Sequence, residues 1–110
     1  MSSNIATLAK RLKEHPDDSF IKFALALELI KVGKLNQAVI LFESIVKDDP
    51  DYIGVYYHLG EQYALQGENK KALETYKAGI EAAGKLNDTH AESELSTALL
   101  TLEMELDDEL

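Results

Sequence analysis

Pro16 and Pro50 stand 34 residues apart, each among acidic residues, in "EHPDD" and "DDPDY". The same offset carries Leu25-Ala26 onto Leu59-Gly60, Leu29 onto Tyr63 and Gly33 onto Gly67. It also carries Ala38 onto Ala72 and Phe42 onto Tyr76. A fixed period of this size means that one small unit is used more than once. Each copy is too small to bury its own apolar face and must stack on a neighbour.

Every unit reads as two helices. In the first, a helix over 18–32 follows the cap region Asp17-Asp18-Ser19, and Gly33 ends it. A second helix over 35–47 stops before Pro50. The second unit repeats this with helices over 51–66 and 69–83, a turn at "QGEN", and Gly84 where the proline is expected. Shifting Phe42 and Val46 back by 34 gives Leu8 and Leu12, so the first 16 residues read as a lone helix of the second type. Thr89-His90-Ala91-Glu92 has the form of a capping box. It opens a last helix with Ala91, Leu95, Ala98, Leu99, Leu102 and Leu106 on its apolar side and Glu92, Glu94, Glu103 and Glu105 beside them. Its end, "MELDDEL", is expected to fray. The expectation is all-α: about six helices in antiparallel hairpins and no strand. They form one domain divided as 1–16, repeats over 17–50 and 51–84, and a capping helix with an acidic tail over 85–110.

One residue opposes this pattern. Gly60 lies inside a helix, where glycine costs about 1 kcal/mol relative to alanine. A missing side chain lets another helix approach, and burying a large aromatic there is worth several kcal/mol. Gly60 and its counterpart Ala26 are therefore read as packing positions that accept Phe42 or Tyr76, from the second helix of the same hairpin or from a neighbour, in preference to a flexible hinge.

Tyr56, Leu59-Gly60, Tyr63, Gly67, Ala72 and Tyr76 stand in the order and spacing of a tetratricopeptide repeat, which the second unit closely resembles. The first unit keeps Ala26, Gly33, Ala38, Phe42 and Pro50. It departs at Lys22, where an aromatic is usual, and at Leu29, where a tyrosine is usual. The resemblance implies a short α-solenoid whose first-type helices line a concave face that binds peptides or helices of other proteins. On that face it places Phe20, Phe23, Leu27 and Ile30 from the first unit. The second unit supplies Gly54, Tyr57, Glu61 and Ala64, with His58 beside Tyr57. Phe20, Phe23, Leu27 and Tyr57 are expected to anchor a partner, and Glu61 and His58 to select it. The N-terminal helix either covers Phe20 and Phe23 to complete a core, or leaves them open for a partner or a second copy. Carboxylate-clamp members of the family hold acidic tails with Lys and Asn on this face. Phe23, Leu27, Tyr57 and Glu61 stand there instead, which argues against that subtype.

Composition narrows the function further. Twenty acidic against 11 basic residues give a net charge of −9, which repels phosphate backbones and anionic lipid. Neither nucleic acid nor membrane is expected as a partner. No cysteine is present, so disulfides and thiolate chemistry are excluded, which is compatible with a reducing compartment without proving one; a cytoplasmic location is expected. No apolar run suggests a signal peptide or a membrane span. The terminal "DDEL" is accordingly read as an acidic end and not as a retrieval signal.

His15, His58 and His90 fall in different elements without a second ligand at metal-binding spacing. "DDPD" lacks the glycine and glutamate of a calcium loop. Neither a phosphate loop nor a nucleophile–base constellation is legible. No catalysis, metal or cofactor is expected. The reading is a protein-binding module, with a homodimer joined through the apolar stripe or a terminal helix as the alternative.

Overall fold

The computed structural model describes residues 2–108, with side chains from Asn4 onward. Six helices follow in order: α1 (Ser2–Glu14), α2 (Ser19–Lys31), α3 (Leu35–Asp48), α4 (Gly54–Leu65), α5 (Asn69–Lys85) and α6 (Thr89–Asp108). No strand occurs among the described residues. The fold is thus all-α and built from helix hairpins, as expected. Its contacts divide it after Tyr52 into a first unit of α1–α3 and a second of α4–α6.

The turns that end the helices share one geometry. Gly33 and Gly67 sit at φ +80° and +77°, a left-handed conformation that favours glycine. The next N–H, from Lys34 or Glu68, reaches back to the carbonyl of Leu29 or Tyr63 at 2.9 and 2.8 Å. Asn87 (φ 58°) plays this part a third time, with Asp88 N–H donating to Ala83 at 2.9 Å. The turn therefore falls after Lys85, and Gly84 lies inside α5 instead of ending it.

Two helix starts differ from expectation. Asp49, Pro50 and Asp51 form a turn, with Tyr52 N–H donating to Asp49 at 3.0 Å, so α4 begins at Gly54 and not at residue 51. At α6 the cap is Asp88, whose carboxylate accepts from Ala91 N–H at 3.0 Å; Thr89 is already helical. The left-handed Asn87 turns the chain one residue too early for the Thr89 capping box. Asp18 caps α2 as expected, accepting from Ile21 N–H at 3.1 Å. The expected fraying is also corrected: α6 stays helical through Asp108. Glu109 and Leu110, which complete the "DDEL" tail, lie outside the described residues.

In the first unit, α2 packs on α1 and α3. Ile21, Leu25, Ala26 and Leu29 from α2 are buried, as are Ala38, Val39, Phe42 and Ile45 from α3. Lys22, expected to be one of the main polar residues of α2, is buried as well. Its ammonium donates to Ser44 Oγ at 2.9 Å and pairs with Asp48 Oδ2 at 3.5 Å. An ammonium there is tolerable because it has these partners, while the aliphatic stem packs like a hydrophobe.

In the second unit, α5 packs on both α4 and α6, and α4 meets α6 more lightly. Gly60 does what its position suggests. A Cβ on it would fall 2.7 and 2.8 Å from Cδ1 and Cζ of Tyr76, and would overlap Cε1 more closely still. Helix α4 runs unbroken through this position, so Gly60 is a clearance for an aromatic ring and not a hinge. Gly79, on α5, does the same work unannounced. A Cβ there would meet Tyr56 Cβ at 2.6 Å, Tyr56 Cγ at 2.9 Å and Leu95 Cδ1 at 3.0 Å. The two glycines let α5 lie close to α4 and α6 together.

Candidate functional site

The second unit contains a groove of about 640 Å³. Its first wall is a stripe of α4 comprising Tyr57, Glu61, Ala64 and Leu65, whose spacings of 4, 3 and 1 keep them on one side of a helix. Its second wall is α6, from which His90, Glu94, Thr97, Thr101 and Glu105 project at helical spacing, with Ala98, Leu102 and Leu106 beside them. Tyr76 and Asn69 of α5 complete the lining. The result is a partly apolar channel with a few polar groups, the usual composition of a binding site.

Electrostatics in the groove are one-sided. Burial pushes the Tyr76 phenol up to about 12, with further contributions from Glu61, Tyr57 and Glu105. Its hydroxyl therefore stays neutral across the ordinary pH range and feels carboxylates from both walls at once. His58 stands edge-on to Tyr57 with ring centroids 5.8 Å apart. Burial holds its imidazole below the ordinary value, against a smaller opposing pull from Glu61. On α6, His90 Nε2 lies 3.6 Å from Glu94 Oε2, an ion pair only when the imidazole is protonated.

The anticipated site residues divide between the two units. Tyr57 and Glu61 line the groove; His58 does not. In the first unit Phe20 projects into solvent, 68% exposed, so α1 packs on α2 without covering it. Phe23 is half-buried against the rings of Phe42 and Tyr52, at 5.9 and 5.4 Å between centroids. It belongs largely to the packing of its own hairpin. Leu27 and Ile30 are half-buried on α2. The second wall was not anticipated as a binding surface, since Glu94 and Glu105 read as the solvated side of a cap. Their alternation with Leu95, Ala98, Leu102 and Leu106 at spacings of 3 and 4 was the available signal.

Among the described residues no group of three or more His, Asp or Glu is placed to hold a metal ion. None of the described helices is long and apolar enough to cross a membrane.

No family model matches the chain, and no match is found among curated proteins. Solved structures are similar to it. The solution structure of a tetratricopeptide repeat domain protein from Salinibacter ruber is 42% identical, over 80% of this chain and 89% of that one, with a TM-score of 0.77. The crystal structure of a tetratricopeptide repeat domain protein from Salinibacter ruber, also 42% identical, covers 78% of this chain and 97% of its own at a TM-score of 0.75. The TPR2B domain of yeast Sti1, solved in complex with pHsp70, is similar in fold alone, with 18% identity and a TM-score of 0.83 over 92% of this chain and 81% of that one. The repeated hairpin, the glycine clearance for Tyr76 and the 42% identity to the Salinibacter protein agree, and the chain belongs to the tetratricopeptide repeat family.

Proposed function

We propose that this protein is an interaction module without catalysis, and that a peptide or helix of a partner docks in the groove between α4 and α6. The observation that carries the reading is the groove itself. It is long enough to follow several turns of α6, is floored by Ala64, Ala98 and Leu102, and is edged by a few polar groups. Tyr57 supplies a rigid aromatic contact and Glu61 a point of selection. Phe20, open on α2, is a second apolar contact available to a partner. Membership of the family supports the reading, and so does the Sti1 domain of similar fold, which was solved in complex with pHsp70.

The test is a selection of random peptides displayed on phage, followed by binding to two variants. Thr101→Trp places a bulky ring in the groove from an exposed position, whereas Leu100→Glu alters the opposite side of α6. The selected peptides are expected to lose binding to Thr101→Trp and keep it for Leu100→Glu, with helicity unchanged in both. Peptides that bind Thr101→Trp as well as wild type would remove the groove from consideration.

A second reading rests on a different surface. Leu100 and Met104, one turn apart on α6, are 58% and 60% exposed, an apolar pair that a second copy could cover. Sedimentation over a concentration series separates the readings. A rise in mass that Leu100→Glu abolishes would favour self-association.

A further inference from the structure

Resting on the reading of the groove as a docking site, we infer that its occupant is a cationic segment, one that presents arginine or lysine beside small apolar residues. Among the described residues three carboxylates line the channel, Glu61 from α4 and Glu94 and Glu105 from α6, and no lysine or arginine does. The basic residues of the second unit lie elsewhere. Lys85 pairs with Glu81 at 3.4 Å, and Lys71 stands 5.6 Å above the ring of Tyr63. Among the described residues that line the groove His90 alone is basic, and it pairs with Glu94; His58, which is not part of the lining, lies within electrostatic reach of Glu61. Among the described residues Glu61 and Glu105 are in no ion pair.

The two walls act on the same point. Glu61 and Glu105 come from different helices, yet both bear on the Tyr76 hydroxyl, so their fields add in the channel between them. A concave, partly apolar channel screens charge less than an open surface, which strengthens attraction for a cation that enters. The ring of Tyr57, 39% exposed at the rim, offers a face on which a guanidinium can stack. The floor of Ala64, Ala98 and Leu102 accepts the aliphatic stem of such a side chain or its apolar neighbours. An acidic tail would meet like charge on both walls. The net charge of −9 acts in the same sense at longer range and speeds the approach of a positive partner.

The experiment uses three labelled peptides of identical Leu/Ala framework, carrying Arg, Gln or Glu at the same positions. Binding is measured by fluorescence anisotropy at low and physiological salt. The probes meet wild type, a groove variant (Glu94→Gln with Glu105→Gln) and a control that removes as much charge elsewhere (Glu74→Gln with Glu103→Gln). All four carboxylates are exposed, so folding is preserved, and circular dichroism checks this. The Arg peptide is expected to bind best, to weaken by roughly tenfold in the groove variant, and to change little in the control. Added salt weakens it. Equal losses in the two variants would mean diffuse attraction to an acidic surface and overturn the inference. So would Gln or Glu peptides that bind as well as Arg; if Thr101→Trp also blocks those peptides, the groove reading survives without its charge preference. If none of the three peptides binds, the inference falls, and a groove that also yields no phage-selected peptide takes the docking reading with it.

Discussion

Replacing Gly60 with alanine sets two effects against each other, and their sizes can be worked out. Alanine is the better helix former by about 1 kcal/mol at an interior position, so local propensity alone makes Gly60→Ala stabilising. The new methyl, however, would sit 2.7–2.8 Å from ring atoms of Tyr76, where ordinary contact begins at 3.4 Å. The ring is only 5% exposed and has little room to retreat, so it or α4 must shift by more than half an ångström. Overpacking of this kind costs about 1–3 kcal/mol. The sum is a net loss of about 0–2 kcal/mol, each kcal/mol being equivalent to a fall in melting temperature of roughly 4–8 °C for a domain this small. Urea denaturation followed by circular dichroism would measure it. The decisive step repeats the substitution in a Tyr76→Leu background, where Cε1 and Cζ are gone. There Gly60→Ala should cost nothing or stabilise, giving a coupling of at least about 1 kcal/mol between the two positions. Stabilisation by Gly60→Ala in the wild-type background would refute the clearance argument, leaving glycine with no packing role.

Gly79→Ala should cost more than Gly60→Ala, about 2 kcal/mol after the same gain in helix propensity, because its closest obstacle is the Cβ of Tyr56, which cannot move without the α4 backbone; comparison of the two urea midpoints checks the order. Lys22→Met keeps the buried stem and removes the charge, so its stability should lie within about 1 kcal/mol of wild type or above it. Ser44→Ala, which strips the ammonium of its 2.9 Å acceptor, should cost about 1–2 kcal/mol; the reverse ranking would show that the Lys22 charge is net stabilising. Tyr76 makes stability depend on alkaline pH. Its folded pKa of about 12 exceeds the ordinary 10.0, so its contribution is intact below pH 10 and is lost as pH rises through 12. Between about pH 8 and 10 this group leaves the urea midpoint unchanged, above pH 10 the midpoint should decline, and Tyr76→Phe should remove this part of the decline.

Local physics was legible in the sequence. The 34-residue spacing of Pro16 and Pro50, the apolar periodicity of each helix and the turn glycines Gly33 and Gly67 depend on a few neighbouring residues, so composition reveals them. Gly60 was readable for a related reason: its defect in propensity is local, and the partner it admits, Tyr76, recurs at the matching place in the repeat. Cap and turn positions slipped by a residue or two where two signals competed. Thr89 and Glu92 spelled a capping box, yet the left-handed turn at Asn87 made Asp88 the cap.

The sequence by itself determined the helices, their pairing into hairpins and the family, because periodicity and turn stereochemistry act over short separations along the chain. Only the tertiary structure decided which faces meet. It placed Gly79 against Tyr56 and Leu95, buried Lys22 beside Ser44, set Phe23 into its own hairpin and left Phe20 open. It also turned Glu94 and Glu105 from the solvated side of a terminal helix into the wall of a groove facing Tyr57 and Glu61. Each of these outcomes depends on the distance and rotation between separate helices, which side-chain volumes at remote positions fix and which no pattern along a single helix encodes.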